Sequence, residues 1–368
     1  MNRIRITFFL PSLGAGGAER VVVNLANGFI NERFDVTILV ANMLESELKN
    51  ELSSDICLVN INKNRVIKCS RYIRNYLYKN YTDIFISSLP HCNIVASRAF
   101  NPQLTNTKLI LIEHGMFSEL VLKYNIVKRL VLITMLKVYY KKANAIICVS
   151  ESVKKDLFKV AELNFSKVIT IYNPVEIEKV NLLSQVSFIH PWFNKKYRIL
   201  ISVGRLVKEK GFDILIKAFS EVKKQLDVKL IIFGEGDQRA ILQNLIHQLK
   251  LDDAVSLPGI TSNPYQYIAN SNLLIFPSLS EGFGNVLIES FICKTKVIAV
   301  NSGGGVNELL QNGKFGRLVP KNDVQALASA IIEEFNKPTL NIFPNINIFS
   351  TQVIINKYKE VIYNLLKA

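Results

Sequence analysis

The chain has 368 residues, and at roughly 100–200 residues per domain that length predicts two domains. With 49% hydrophobic and 20% charged residues it can bury a sizeable core, which excludes the disordered, collagen-like and disulfide-scaffold classes. A formal charge of +15 points to a polyanionic partner, whether nucleic acid, anionic lipid or a phosphorylated ligand, and does not choose among them.

The start, Met1 to Arg5, runs straight into the strand-like ITFFL with no apolar signal-peptide core, so no export signal is expected. A glycine-rich turn follows, then a helix from Ala18, then strands near Val36 to Val40, Ile56 to Ile61, Asp83 to Ser87, Leu109 to Glu113 and Ala145 to Val149. Short β-branched runs alternating with longer helical stretches predict a parallel sheet covered on both faces, a Rossmann-like first domain over residues 1–175. From Glu176 to Tyr197 the alternation lapses and His190-Pro191-Trp192 interrupts any helix, so a linker with a hinge is expected there. A second series begins at Arg198 to Gly204: helix Phe212 to Lys224, strand Val228 to Phe233, helix Gln238 to Lys250, strand Leu273 to Phe276, helix Asn285 to Cys293 and strand Lys296 to Val300. That is a second doubly wound domain over residues 198–349. Residues 350–368 carry helical apolar spacing at Val353, Ile354, Tyr358, Val361, Ile362 and Leu365, a helix able to pack on either domain.

Five scattered cysteines, Cys57, Cys69, Cys92, Cys148 and Cys293, form no CxxC pair and fit a reducing, cytoplasmic compartment. The four histidines make no HxxxH or His/Cys cluster, so no metal site is expected. Leu130 to Leu136 is uncharged and apolar, yet far short of the roughly 18 residues of a membrane span.

Four loops could carry chemistry. Pro11 to Arg20 is glycine-rich and opens a helix, where Gly16 and Gly17 offer bare amides to an anion; Glu19 and the lack of an acid ending the second strand speak against a dinucleotide. Arg205 and Lys210 bracket a strand's carboxyl end and the next helix's start, a pairing of forked and compact cations suited to a diphosphate. In Glu281-Gly282-Phe283-Gly284-Asn285 the glycines free the backbone, Glu281 stands at the loop, and Glu289 follows about one turn into a helix. A carboxylate can accept both hydrogens of a vicinal diol, so each Glu is a candidate sugar or ribose contact. Ser302 to Glu308 repeats the glycine design, and His114, in LIEHGM, ends the fifth strand.

Taken together, GAGGAER, EHG, SVGRLVKEKGFDILIKAF, FGEG, FPSLSEGFGNVLIES and the GGG-x-x-E loop resemble the retaining family 4 glycosyltransferases. The similarity runs from Ile4 to about Ala330 and is strongest to bacterial members that extend lipid-linked oligosaccharide, O-antigen or capsule units. It implies an α/β GT-B architecture, two Rossmann-like doubly wound domains facing across a cleft, and transfer of a hexose or N-acetylhexosamine from a nucleotide-diphosphate sugar, UDP being preferred, to a lipid-linked or polysaccharide acceptor. It further implies that Arg205 and Lys210 hold the donor diphosphate and that Glu281 contacts the transferred sugar. Gly282, Phe283 and Gly284 would present backbone amides, Glu289 would hold the ribose, Gly16 and Gly17 would abut the phosphates, and His114 would reach the sugar. Glu281 and His114 are then positioning and electrostatic groups without a covalent role, and no metal or other cofactor is required.

Residues 61–81 carry six Lys or Arg and no acid, interleaved with Tyr72, Tyr76, Tyr78 and Tyr81. Residues 120–142 carry six more, again without an acid, alongside Leu120, Val131, Ile133 and Met135. Both stretches suit an anionic membrane surface, touched at the inner face of the plasma membrane. Two other readings compete. A sugar-nucleotide epimerase or hydrolase of the same fold would act on the donor alone. A nucleic-acid-binding protein would use the charge, but no recognition motif supports it and nucleic acid is not an expected partner.

Overall fold

The computed structural model describes residues 3–161, 165–193, 197–336 and 342–367. Residues 1–2 and 162–164 of the first predicted domain, 194–196 of the predicted linker, 337–341 of the second domain and Ala368 lie outside the described residues. The chain divides into two compact units, residues 1–175 with 348–368, and residues 176–347.

In the first unit the order is β1 (Arg5–Leu10), α1 (Gly17–Asn31), β2 (Asp35–Val40), β3 (Cys57–Asn60), α2 (Ser70–Lys79), β4 (Ile84–Ser88), α3 (Pro90–Ala99), β5 (Lys108–Glu113), α4 (Phe117–Leu122), α5 (Ile126–Tyr140), β6 (Ala145–Cys148), α6 (Glu151–Val160) and β7 (Val168–Thr170). The seven strands lie in the order β3-β2-β1-β4-β5-β6-β7, every pair parallel. Runs such as IFISS in β4 and AIIC in β6 are buried at every position, as strands covered on both faces must be. Caps fix the helix starts: Asn125 Oδ1 accepts from the Lys128 amide at 3.0 Å before α5, and Ser150 Oγ from the Val153 amide at 3.1 Å before α6.

The second unit opens with α7 (Ile177–Ser184), followed by β8 (Arg198–Val203), α8 (Phe212–Lys223), β9 (Val228–Phe233), α9 (Arg239–Gln248), β10 (Val255–Gly259), α10 (Tyr265–Ala269), β11 (Leu273–Phe276), α11 (Asn285–Ile292), β12 (Val297–Val300), α12 (Gly304–Leu309), β13 (Arg317–Val319) and α13 (Val324–Asn336). Its sheet runs β10-β9-β8-β11-β12-β13, again all parallel. Both sheets reverse their winding beside their first strand, the arrangement of a doubly wound fold, whose ligands bind beyond the carboxyl ends of the strands at that switch point.

The closing helix α14 (Thr351–Lys367) returns to the first unit and packs on α1. Gly28 of α1 makes room for it: a Cβ there would lie 2.7 Å from Ile355 Cγ1. Tyr358 meets Phe29 edge-on at 6.2 Å, and Lys359 pairs with Glu32, whose carboxyl is held below its ordinary value by that lysine and by Gln352.

The reading of residues 176–197 as a linker needs correction. Ile177–Ser184 is helical and packs on α10 and α11, and residues from Glu176 onward belong to the second unit. Its apolar face is small, with Val180 as its buried residue, so the pattern reads as a lapse although tertiary packing holds the helix.

Candidate active site

In the second unit the switch point lies between β8 and β11, and the sequence-predicted residues gather at its two loops. After β8 the chain passes Gly204-Arg205 and a single turn over Lys208–Lys210 before entering α8. Gly211, at φ +65°, permits that turn to press on the neighbouring loop: a Cβ there would come within 2.4 Å of the Pro277 carbonyl oxygen. The Leu279 amide donates to the Glu209 carbonyl at 2.8 Å, stitching the two loops together.

That stitch brings Lys210 Nζ to 2.5 Å from Glu281 Oε2, with both side chains only about one-fifth exposed. Ser278 Oγ lies 3.0 Å from the same oxygen. Glu281 Oε1 carries no hydrogen bond among the described residues, which leaves one carboxylate oxygen for a ligand hydroxyl. Arg205 is exposed, and its guanidinium makes no ion pair among the described residues. The loop after β9 positions its backbone, since the Leu206 amide donates to the Glu235 carbonyl at 2.8 Å.

The two glycine-rich loops, separate in the sequence, form one object. The Gly305 amide donates to the Gly282 carbonyl at 3.2 Å. At Gly304, φ +61°, a Cβ would fall 2.0 Å from the Glu281 carbonyl oxygen. The SGGG loop is therefore the bed on which residues 281–283 lie. Phe283 is buried, so its side chain anchors this loop from inside and only its backbone can face a ligand. Gly284, at φ +101°, leads into α11, and Glu289 stands half-buried on that helix. Burial, with the Glu289 charge added, pushes the Cys293 thiol up to about 12.

In the first unit Gly16 caps α1 and Gly17 is its first residue. Glu19, three residues into the helix, folds back on this start: a Cβ on Gly16 would lie 2.1 Å from its Oε2. His114, just beyond β5, bonds through Nε2 to Ser88 Oγ at 2.8 Å, and burial pushes the imidazole down to about 4, so it is neutral at pH 7. Its neighbour Glu113 is buried, with Oε1 accepting from Tyr140 Oη and, at 2.7 Å, from Asn93 Nδ2. Burial pushes this carboxyl up to about 7; the Tyr140 and Asn93 hydrogen bonds oppose that rise and the Asp156 charge adds to it.

Ser278, Ser88 and Glu113 escape sequence reasoning. Ser278 and Ser88 leave no signal at all, being ordinary polar residues at strand ends. Glu113 does: a carboxylate closing the apolar run LILI is costly unless something holds it. No group of three or more His, Cys, Asp or Glu with metal-holding geometry occurs among the described residues.

With this geometry in hand, likenesses to known proteins fall into place. Residues 187–342 match the family described as glycosyl transferases group 1, and residues 15–179 match glycosyltransferase family 4. Over 338 residues, 86% of each chain, the protein is 30% identical to the N-acetylgalactosamine-N,N'-diacetylbacillosaminyl-diphospho-undecaprenol 4-alpha-N-acetylgalactosaminyltransferase of Campylobacter jejuni. The chain belongs to the group 1, family 4 glycosyltransferases. This glycosyltransferase is also 31% identical, over 58% of each chain, to the capsular polysaccharide biosynthesis glycosyltransferase CapM of Staphylococcus aureus. The family makes it a transferase of sugar groups. Among solved structures, a glycosyltransferase of Rickettsia africae matches at a TM-score of 0.78, 23% identity and full coverage of both chains. Anabaena HepE, in complex with UDP-glucose, matches at 0.73 and 19% identity, covering 99% of this chain and 98% of its own. Both carry the GT-B fold of this glycosyltransferase.

Proposed function

We propose that this glycosyltransferase moves a hexose or N-acetylhexosamine from a UDP-linked sugar to a lipid-linked or polysaccharide acceptor, with retention of anomeric configuration and without a metal ion. The observation that carries the reading is the Lys210–Glu281 pair at the switch point, flanked by the exposed guanidinium of Arg205. The Campylobacter relative, named for a diphospho-undecaprenol-linked acceptor, supports the acceptor class, and HepE, solved with UDP-glucose, supports the donor.

In this reading Arg205 and Lys210 neutralise the leaving diphosphate. Lys210 then turns from Glu281 to a phosphate, which releases the carboxylate to hold the sugar as positive charge develops at its anomeric carbon. The backbone of Gly282, Phe283 and Gly284 lines the donor, and Glu289 takes the ribose hydroxyls. Gly16 and Gly17 remain the candidate phosphate contacts of the first unit, and neutral His114 its candidate hydrogen-bonding group for the sugar. The UDP-sugar that raises the thermal midpoint of the purified protein, equally with EDTA and with magnesium, identifies the donor; stabilisation only with magnesium overturns the metal-free reading. Arg205→Ala is expected to weaken UDP binding about tenfold or more by calorimetry, since a charge-assisted hydrogen bond disappears. Unchanged affinity removes Arg205 from the diphosphate site.

The membrane reading gains from the fold. α2 and α5 both pack on α3, whose residues are almost all buried between them and the sheet. Residues 61–81 and 120–142 therefore share one face of the first sheet. On α5, Ile126, Val127, Leu130, Val131 and Val138 are exposed, Ile126 by 73%, while Leu136 and Tyr140 are its buried residues. Exposed apolar side chains set among lysines and arginines suit the boundary of an anionic bilayer. No described helix is long and apolar enough to cross a membrane, and the contact proposed is peripheral, at the inner face of the plasma membrane. Changing Lys128, Arg129, Lys141 and Lys142 together to Gln is expected to weaken binding to phosphatidylglycerol vesicles about a thousandfold in a sedimentation assay, at about 1 kcal/mol per charge. Equal binding by both proteins would refute this surface.

A further inference from the structure

Between the proposed membrane face and His114 lies a buried group that the transfer reaction leaves without a task. Glu113 is 1% exposed. Its Oε1 accepts from Tyr140 Oη, at the carboxyl end of α5, and from Asn93 Nδ2 of α3, and the same Nδ2 donates at 2.9 Å to the carbonyl of Ile112. One carboxyl oxygen thus ties two helices to the strand end from which His114 projects. The other oxygen, Oε2, is buried with no hydrogen-bond partner among the described residues.

That bare oxygen decides which protonation state the pocket favours. Either form leaves Oε2 unpaired, but a buried, unpaired charge is far more costly than a buried, unpaired hydroxyl. The titratable groups around it offer no help: Tyr140 on α5, Cys148 on β6 and Asp156 on α6 are neutral or negative. Lys154 and Glu151 of α6 act on Cys148, and Cys148 in turn on Tyr358 of α14. The neutral acid is the form that fits.

We propose that Glu113 is a positioning residue of the transfer reaction: in its neutral form it clamps the end of β5 to α3 and α5 and so holds His114 in working alignment. The inference rests on the role given to His114 above. Glu113 crosses its titration at about 7, whereas His114, pushed down to about 4, stays neutral throughout that range. A change of activity near neutrality that Glu113→Gln abolishes therefore belongs to Glu113. Ionisation tightens the two bonds at Oε1 but leaves Oε2 a buried, unpaired charge, and relieving that charge pulls the carboxylate, and the strand end with it, out of the aligned position.

The stability linkage runs the same way. Because the folded-state value lies above the ordinary 4.5, the neutral acid's contribution is complete below about 4.5 and is lost as pH rises through about 7. Gln, neutral at all pH and still able to accept from Tyr140 and Asn93, keeps it.

The test measures kcat, donor KM and thermal midpoint from about pH 5.5 to about 9 for wild type, Glu113→Gln, Glu113→Leu, Tyr140→Phe and His114→Ala. Wild-type kcat is expected to fall about fivefold or more above neutrality, and Glu113→Gln to stay flat at about the wild-type acid plateau. The midpoint of wild type should fall relative to Glu113→Gln over the same interval. Glu113→Leu, which offers no acceptor, is expected to lose about tenfold in kcat at every pH with donor KM within about twofold. Should Leu prevent folding, Tyr140→Phe serves: it removes a bond that favours the carboxylate, so the kcat limb moves to higher pH. A Gln profile that keeps the wild-type limb overturns the proposal, as does a Leu variant with full kcat and only a lowered midpoint. His114→Ala separates the readings: full activity there overturns the role of His114 and the clamp with it. A large loss there beside an unaltered Gln profile overturns the clamp alone.

Discussion

Glu281→Gln is expected to lower kcat by about a hundredfold to a thousandfold, the scale on which one electrostatic contact at a developing charge acts, while donor affinity by calorimetry shifts within about threefold. The asymmetry follows from the geometry. In the free protein Glu281 Oε2 is occupied by Lys210 at 2.5 Å and by Ser278 Oγ at 3.0 Å. Gln retains an oxygen that both can approach, so the loop keeps its hydrogen bonds and the protein its fold. What disappears is the negative charge, which matters most when the anomeric carbon becomes positive. Lys210, relieved of an ionic partner, turns to the diphosphate at lower cost, which offsets a weaker hold on the sugar in the ground state. Equal falls in kcat and donor affinity would reduce Glu281 to a binding group. Lys210→Gln supplies the cycle: because the two side chains touch, the double variant should cost far less than the product of the single losses. Multiplicative losses would mean that the ion pair has no part in the reaction.

Most of the framework is legible because it is local. Apolar runs such as Phe8 to Leu10 and Leu230 to Phe233 read as strands buried on both faces. Glycines and charges placed just after such runs mark carboxyl ends, where ligands bind. Short elements leave far less. β7 and β13 have three residues each and β10 contains Pro258 and Gly259, so none carries enough period to announce a strand; their edge or near-edge places come from neighbours already paired. α7 reads as linker in the sequence because its burial is supplied by α10 and α11.

The site divides in the same way. Arg205, Lys210, Glu281 and Glu289 are legible as residue types in the right loops. Their pairing is not: 71 residues separate Lys210 from Glu281, and they meet through the Gly211 turn pressed against Pro277 and the Leu279–Glu209 backbone bond. The charge of Lys210, expected to be reserved for a diphosphate, is in this structure shared with the very carboxylate expected to hold the sugar. Likewise Glu113 and Tyr140 are 27 residues apart on different elements, a distance over which single-sequence patterns say nothing.

Gly304→Ala is expected to cost about 2–4 kcal/mol of stability, the range of a backbone clash combined with a left-handed conformation, and to depress kcat about as severely as a change at Glu281 itself. The added Cβ would fall 2.0 Å from the Glu281 carbonyl oxygen, a distance that only movement can relieve, and the part free to move is the loop that carries the carboxylate. Displacement by about 1 Å at a reacting centre is enough for a hundredfold loss. Gly303→Ala is the control. Gly303 also has a positive φ, +69° with ψ −152°, a region nearly reserved for glycine, so stability should fall by about 1–3 kcal/mol here too. Yet a Cβ on Gly303 meets nothing within 4 Å, and residues 281–283 are left where they are. Thermal midpoints of the two variants should therefore drop by similar amounts while their kcat values part by about tenfold or more at a temperature where both are folded. Matching kcat losses would mean that the SGGG loop serves the reaction directly. Full activity in Gly304→Ala would mean that the bed under Glu281 can yield without moving it, and that the alignment of this carboxylate is set by Lys210 and Ser278 alone.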